Sequence, residues 1–228
     1  MDFELIANAA PQLIAGLDET LLLAASALVL GFFLAVPLAL MNLSPMRWVR
    51  VIAEGYVYIF RSTPLLVQIF LIYYGSGQFR AAFESVGLWV LFREAWFCAI
   101  FAFTLNSAAY ASQIIRGGLM SVPAGQIEAA RAIGMSAGKT FFRITFPIAI
   151  RQALPGYGNE IILMVKATSL ASTITILEIT GVAKKIIAAT FQPIEVFLIA
   201  GAIYLSINFI VTRGVALMEG RLNRHQRA

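Results

Sequence analysis

Two ionisable side chains stand where lipid would surround them. Glu160 and Lys166 interrupt an otherwise apolar stretch, roughly residues 152–177. A charge at the bilayer centre costs about 2.5–3.5 kcal/mol even on mild insertion scales, so it faces a cavity or a partner. The chemistry open to such groups is non-covalent: a carboxylate receives a cation, and an ammonium receives a carboxylate. Six positions apart on a regular helix, the two point about 240° from each other and do not pair directly. Pro155, Gly156, Gly158, Thr168, Ser169, Ser172 and Thr173 surround them, a composition suited to a broken helix lining a pathway. Glu160 is the candidate that lines a translocation route and favours cationic solutes. Its alternatives are pairing with a lysine or arginine on another helix, or snorkelling at the inner interface. Lys166 is a candidate ligand for a solute carboxylate, or a partner for an acidic residue of another subunit. Thr168 and Ser169 complete the candidate pathway.

Covalent chemistry has little to work with. The single cysteine, Cys98, allows no internal disulfide and reads as small core packing. With one histidine, His225, no Cys/His metal cluster is available. The phosphate-cradling pattern G-x-x-x-x-G-K-[ST] does not occur either.

The elements that must position these residues are legible in the charge pattern. The chain has 228 residues, 60% hydrophobic and 13% charged, with a mean hydropathy of +0.82. A soluble domain runs at about 45–50% apolar and about 25% charged. Soluble enzyme, disulfide scaffold and zinc module are thereby excluded. Residues 20–46, 62–79, 95–115 and 196–212 carry no charge, and a membrane-crossing helix needs about 17–25 mostly apolar residues. With the Glu160 region this predicts an all-α membrane protein of about five transmembrane helices, 17–41, 55–76, 94–116, 154–176 and 195–217. They form one transmembrane domain, 1–228, with no soluble domain.

Lysine and arginine orient it. With the N-terminus outside, the inner segments hold Arg47 and Arg50, then Arg116, Arg131, Lys139, Arg143 and Arg151, then Arg213, Arg221, Arg224 and Arg227. The outer segments hold only Arg80, Arg93, Lys184 and Lys185. The positive-inside bias therefore favours N-terminus outside and C-terminus inside. The net charge of +5 suits an acidic phospholipid surface, not nucleic acid. Asp2 and Glu4 lack the basic start of a signal peptide, so helix one is expected to remain as an uncleaved anchor. Arg61 is expected to snorkel to the inner surface, with Pro64 in the first turn of a helix. Gln68 and Asn106 are expected to bridge helices or contact solute, and Trp48, Trp89 and Trp96 to anchor span ends.

One inner loop, 117–151, is longer than the rest. Pro123 can open a helix, Gly134 interrupts it, and Ala137, Phe141, Ile144 and Ile148 recur at helical spacing over a second segment, 137–150. Periodicity alone allows an element that merely lies on the headgroups. The motifs point further. Gln126-Ile-Glu128-Ala129-Ala130-Arg-Ala-Ile-Gly134, followed nine residues later by Ile144-Thr-Phe146-Pro147, resembles the EAA loop of ABC-importer permeases, with Phe146 where the family usually has leucine. Phe60-Arg61-Ser62-Thr63-Pro64-Leu65-Leu66-Val67-Gln68 is similar to a signature of polar amino-acid permeases, Ser62 replacing the usual glycine. Leu105-Asn106-Ser107-Ala108-Ala109-Tyr110, Arg116-Gly117-Gly118, Leu154-Pro155-Gly156-Tyr157-Gly158-Asn159-Glu160 and Lys166-Ala167-Thr168-Ser169-Leu170 resemble further segments of that family, especially its histidine/arginine/octopine-type members.

The resemblance implies a permease subunit of a bacterial ATP-driven importer in the inner membrane, carrying polar or basic amino acids or opines (octopine- or nopaline-like). It implies that Glu128, Ala129, Ala130 and Gly134 couple the chain to a cytoplasmic dimer of ATP-binding subunits. This chain would bind no cofactor and be no enzyme, ATP being used by the partner subunit. A homologous second permease, in a heterodimer rather than a homodimer, and a periplasmic substrate-binding protein complete the expected assembly. For Glu128 the residues alone allow a solvated charge pairing with Arg131, worth about 0.2–0.5 kcal/mol; for Gly134 they allow a plain helix stop. Two other classes compete. An ion-gradient carrier would often show inverted repeats, which are not evident here. A non-transporting scaffold would account for the loop but not for Glu160, Lys166 and the polar fourth helix.

Overall fold

The computed structural model describes residues 3–222, and Asp2, Arg224, His225 and Arg227 lie outside the described residues. All regular elements among the described residues are helical. In chain order they are α1 (Phe3–Ala15), α2 (Leu17–Asn42), α3 (Arg47–Ser62), α4 (Leu65–Gln78), α5 (Arg80–Ser85), α6 (Trp89–Phe92) and α7 (Ala95–Met120). There follow α8 (Ala124–Ala132), α9 (Ala137–Thr140), a π-turn (Phe141–Thr145), α10 (Phe146–Ala167), a 3-10 turn (Thr168–Ile174), α11 (Ile179–Thr190) and α12 (Pro193–Leu222).

Three helical stretches are long and apolar enough to cross a membrane unaided: Glu4–Asn42, Ala95–Met120 and Pro193–Arg221. Two bent pairs raise the number of spans to as many as five. At about 1.5 Å per residue, helices this long exceed the roughly 30 Å hydrocarbon core. Exposed Leu205, Phe209 and Ile210 on α12 suit lipid, which offers no penalty to apolar side chains.

Helix α7 is the hub, packing against α2, α3, α4 and α10. Its buried positions are mostly small: Ala99, Ala102, Ser107, Ala108, Ala109, Ala111 and Ser112. Between membrane helices, small residues let backbones approach closely. Phe103, Leu23, Ile69, Ile174 and Ile179 fill the core around it. The close approach is measurable at Gly118, where a Cβ would stand 2.6 Å from Ala149 O and 3.0 Å from Ala153 Cβ, whereas nothing lies within 4 Å of one at Gly117. Gly118→Leu should therefore destabilise the α7–α10 contact by about 1–3 kcal/mol, the usual cost of overpacking. Thermal denaturation of the purified protein measures this, with Gly117→Leu expected to leave the midpoint unchanged.

The sequence-predicted helix 55–76 is two helices. α3 and α4 meet at 100°. Pro64 lacks an N–H and disfavours the helical conformation at the residue before it; Thr63 is extended at φ −108°, ψ 143°. A break in lipid would orphan the last carbonyls of α3. Gln68 prevents this: its Nε2 donates to Phe60 O at 2.9 Å, Thr63 O at 3.1 Å and Thr63 Oγ1 at 2.8 Å. Asn106 Nδ2 of α7 donates to Phe60 O at 3.2 Å and to Gln68 Oε1 at 3.1 Å. Gln68 and Asn106 thus bridge helices and hold the bend.

The predicted helix 154–176 differs too. α10 begins at Phe146, runs through Pro155, and passes into the 3-10 turn; α11 then leaves at 46°. Lys184 and Lys185, expected in a loop, sit on α11. At the other end α1 precedes the predicted first helix, burying Ala9 and Leu13.

Candidate functional site

The arm between α7 and α10 is built from short helices. α8 carries Glu128 and Ala129 on an exposed surface, while Ala130 is only 2% exposed. Gly134 ends it. At φ +80° it occupies the left-handed conformation that glycine adopts without Cβ strain. Gly134 N donates to Arg131 O and Met135 N to Ala130 O, both at 3.0 Å, the paired bonds that satisfy the last carbonyls of a helix closed by a glycine. The arm then restarts at α9, where Ser136 accepts from Lys139 N at 3.4 Å. Glu128 forms no ion pair with Arg131 among the described residues. Instead the arm presents a carboxylate beside Ala129, with Ile133 79% and Phe142 70% exposed.

The pathway candidates do not form one cluster. Glu160 is buried, 4% exposed, with Ser107 of α7 beside it. α2 passes close behind Ser107, a Cβ at Gly31 standing 3.0 Å from Ser107 Cβ. Among the described residues Glu160 meets no basic partner within ion-pair distance. Lys166 lies on the exposed surface of α10. Thr168 and Ser169 turn back on their own helix, Thr168 Oγ1 donating to Val165 O and Ser169 Oγ to Lys166 O, each at 2.7 Å. Their hydroxyls satisfy the irregular backbone where α10 gives way to the 3-10 turn.

Sequence reasoning missed one heavily bonded carboxylate. Glu178 is fully buried and caps α11, accepting from Thr180 N at 3.0 Å and Gly181 N at 2.7 Å. Tyr204 OH of α12 donates to it at 2.7 Å. Ile179 N donates to Thr20 Oγ1 of α2 at 3.3 Å, and Gly16 lets the α1–α2 junction approach, a Cβ there meeting Ile179 N at 2.9 Å. Charge-assisted bonds of this kind are roughly twice as strong as neutral ones. Glutamate is an uncommon cap, the preference being for Ser, Thr, Asp and Asn, so local sequence carried no signal.

Residues 27–224 match the family described as binding-protein-dependent transport system inner membrane component. The chain is 63% identical over 228 residues to a nopaline transport system permease protein of Agrobacterium fabrum, covering 100% of this chain and 95% of the relative. It is 56% identical over 210 residues to an octopine transport system permease protein of Rhizobium meliloti, covering 92% and 85% respectively. It is 40% identical over 215 residues to an arginine ABC transporter permease protein of Haemophilus influenzae, covering 94% of each. Among solved structures, an amino acid ABC transporter crystallised with histidines superposes with a TM-score of 0.86 at 33% identity, over 97% of this chain and 99% of that one.

Proposed function

Because the chain belongs to the family of binding-protein-dependent transport system inner membrane components, we propose that it carries polar or basic amino acids, or opines of the octopine and nopaline type, across the bacterial inner membrane. As a permease of this family it is the membrane subunit of an ABC importer, and ATP hydrolysis belongs to a separate subunit. The observation that carries the substrate reading is the full-length similarity to nopaline, octopine and arginine permeases. The buried Glu160 supports it, since a carboxylate out of water favours a cation.

In this reading the N-terminus lies outside and the C-terminus inside, which puts the 117–151 arm in the cytoplasm. Glu128, Ala129, Ala130 and Gly134 dock it on a dimer of ATP-binding subunits, and this chain binds no cofactor itself. A homologous second permease completes the pore in a heterodimer, and a periplasmic binding protein delivers solute from outside. Solute meets Lys166, Thr168 and Ser169 at the outer end of α10, where it gives way to the 3-10 turn, and then Glu160. Uptake of labelled arginine, octopine and nopaline into cells with and without this chain tests the substrate class. Uptake of at least one should collapse on deletion and return with the wild-type chain; unchanged uptake of all three would overturn the assignment.

A further inference from the structure

A cleft of about 440 Å³ lies between α3 and α7, lined by Asn42, Glu54, Arg61, Tyr110, Gln113 and Arg116 among others. Two guanidiniums face it, neither in an ion pair among the described residues. Arg61 does not simply snorkel away from the bundle: its Cζ lies 5.1 Å over the Tyr110 ring. Arg116 Nη1 donates to Gln113 Oε1 at 3.3 Å, while its Nε is buried and has no hydrogen-bond partner. Glu54, the acidic group in the cleft, is engaged instead by Arg50 at 3.8 Å. The cleft therefore carries uncompensated positive charge and a buried donor that an anion would satisfy.

α3 supplies a second, independent feature. At 100° per residue, Arg47, Arg50, Glu54, Tyr58 and Arg61 fall on one edge of the helix. On the adjoining edge lie Trp48, Val51, Ile52 and Ile59, 66%, 54%, 57% and 57% exposed. The opposite side, with Ala53 and Val57 buried, packs on the bundle. An exposed apolar edge running beside a cationic one matches a phospholipid, whose acyl chains and phosphate are joined in the same order. A soluble anion would engage the cationic edge alone.

We propose that this cleft binds the headgroup phosphate of an anionic phospholipid through Arg61 and Arg116, with the acyl chains along Trp48, Val51, Ile52 and Ile59. Assignment to the cytoplasmic leaflet rests on the orientation proposed above; the binding itself does not. Basic pockets between membrane helices on the cytoplasmic side are a recognised form of headgroup site.

The test is lipid binding to the complete transporter, purified through a tag on this chain and titrated with phosphatidylglycerol against phosphatidylcholine. Bound lipid is counted by mass spectrometry. Wild type should prefer phosphatidylglycerol. Arg61→Gln and Arg116→Gln should each weaken that preference about fivefold, the worth of one basic side chain near an anionic surface. The double substitution should nearly abolish it, while Arg61→Lys with Arg116→Lys, which keeps both charges, should retain most of it. An unchanged preference in the double glutamine variant would overturn the proposal. So would a wild type without preference, in which phosphatidylglycerol is excluded by the solute or by an acidic side chain of another subunit. Because the count needs no transport, it stands or falls separately from the substrate assignment.

Discussion

Glu128→Arg combined with Gly134→Leu is expected to reduce ATP-driven uptake by about thirtyfold or more, with the chain still inserted at wild-type abundance. Two effects add. Leucine at Gly134 must adopt φ +80°, at a cost of roughly 1–2 kcal/mol for an L-residue, and that misdirects the segment joining α8 to α9. Reversing an accessible charge at a docking surface costs about 2 kcal/mol or more when the position is a hot spot. Neither change touches the membrane core, since no atom stands within 4 Å of a Cβ at Gly134 and Glu128 is exposed. The measurement is co-purification of the ATP-binding subunit alongside uptake. Retained ATPase with normal uptake would remove the arm from the coupling mechanism.

Glu160→Gln is the second large effect, and its signature is selectivity. A hydrogen bond to a charged group contributes about 1.5–3 kcal/mol, which is about a ten- to hundredfold loss in kcat/KM for cationic solutes. Neutral solutes should lose far less. Stability should not fall, because the wild-type carboxylate is buried without a basic partner among the described residues and its removal relieves desolvation. A structural ion pair would behave oppositely, with a less stable protein and unaltered preference. Uptake of matched cationic and neutral solutes, beside a thermal melt, separates the two.

How much of this could be read from the chain depends on what was local. Charge-free runs located α2, α7 and α12 within a few residues, because lipid admits few charges along a span. The composition of 154–176 marked a broken helix but not where it would break: Pro155 lies inside α10, and the change of direction comes after Ile174. Pro64 marks the α3–α4 break, yet the apolar run across it read as one span. The arrangement that makes the break tolerable joins Gln68 to Asn106, 38 positions away, and no periodicity reports such a pair. Gly134 as a helix end was legible, since a glycine after a short amphipathic run has few other uses. Glu178 was not, for its partner Tyr204 comes from another helix, as does Thr20, which accepts from the neighbouring Ile179 N. The substrate pathway was least legible. Glu160 and Lys166 lie six positions apart, yet one is buried and the other exposed, and composition does not report which way each faces.

This chain is the permease subunit through which ATP hydrolysis on a separate subunit drives solute movement. Reconstitution of the tagged wild-type chain with whatever co-purifies in mild detergent tests it most directly, by measuring ATP hydrolysis and solute accumulation in the same vesicles. The expected result is a co-purifying ATP-binding subunit whose hydrolysis is stimulated by solute-loaded binding protein and accompanied by accumulation. Accumulation driven by an ion gradient alone, with no ATPase bound to a stable wild-type chain, would contradict it.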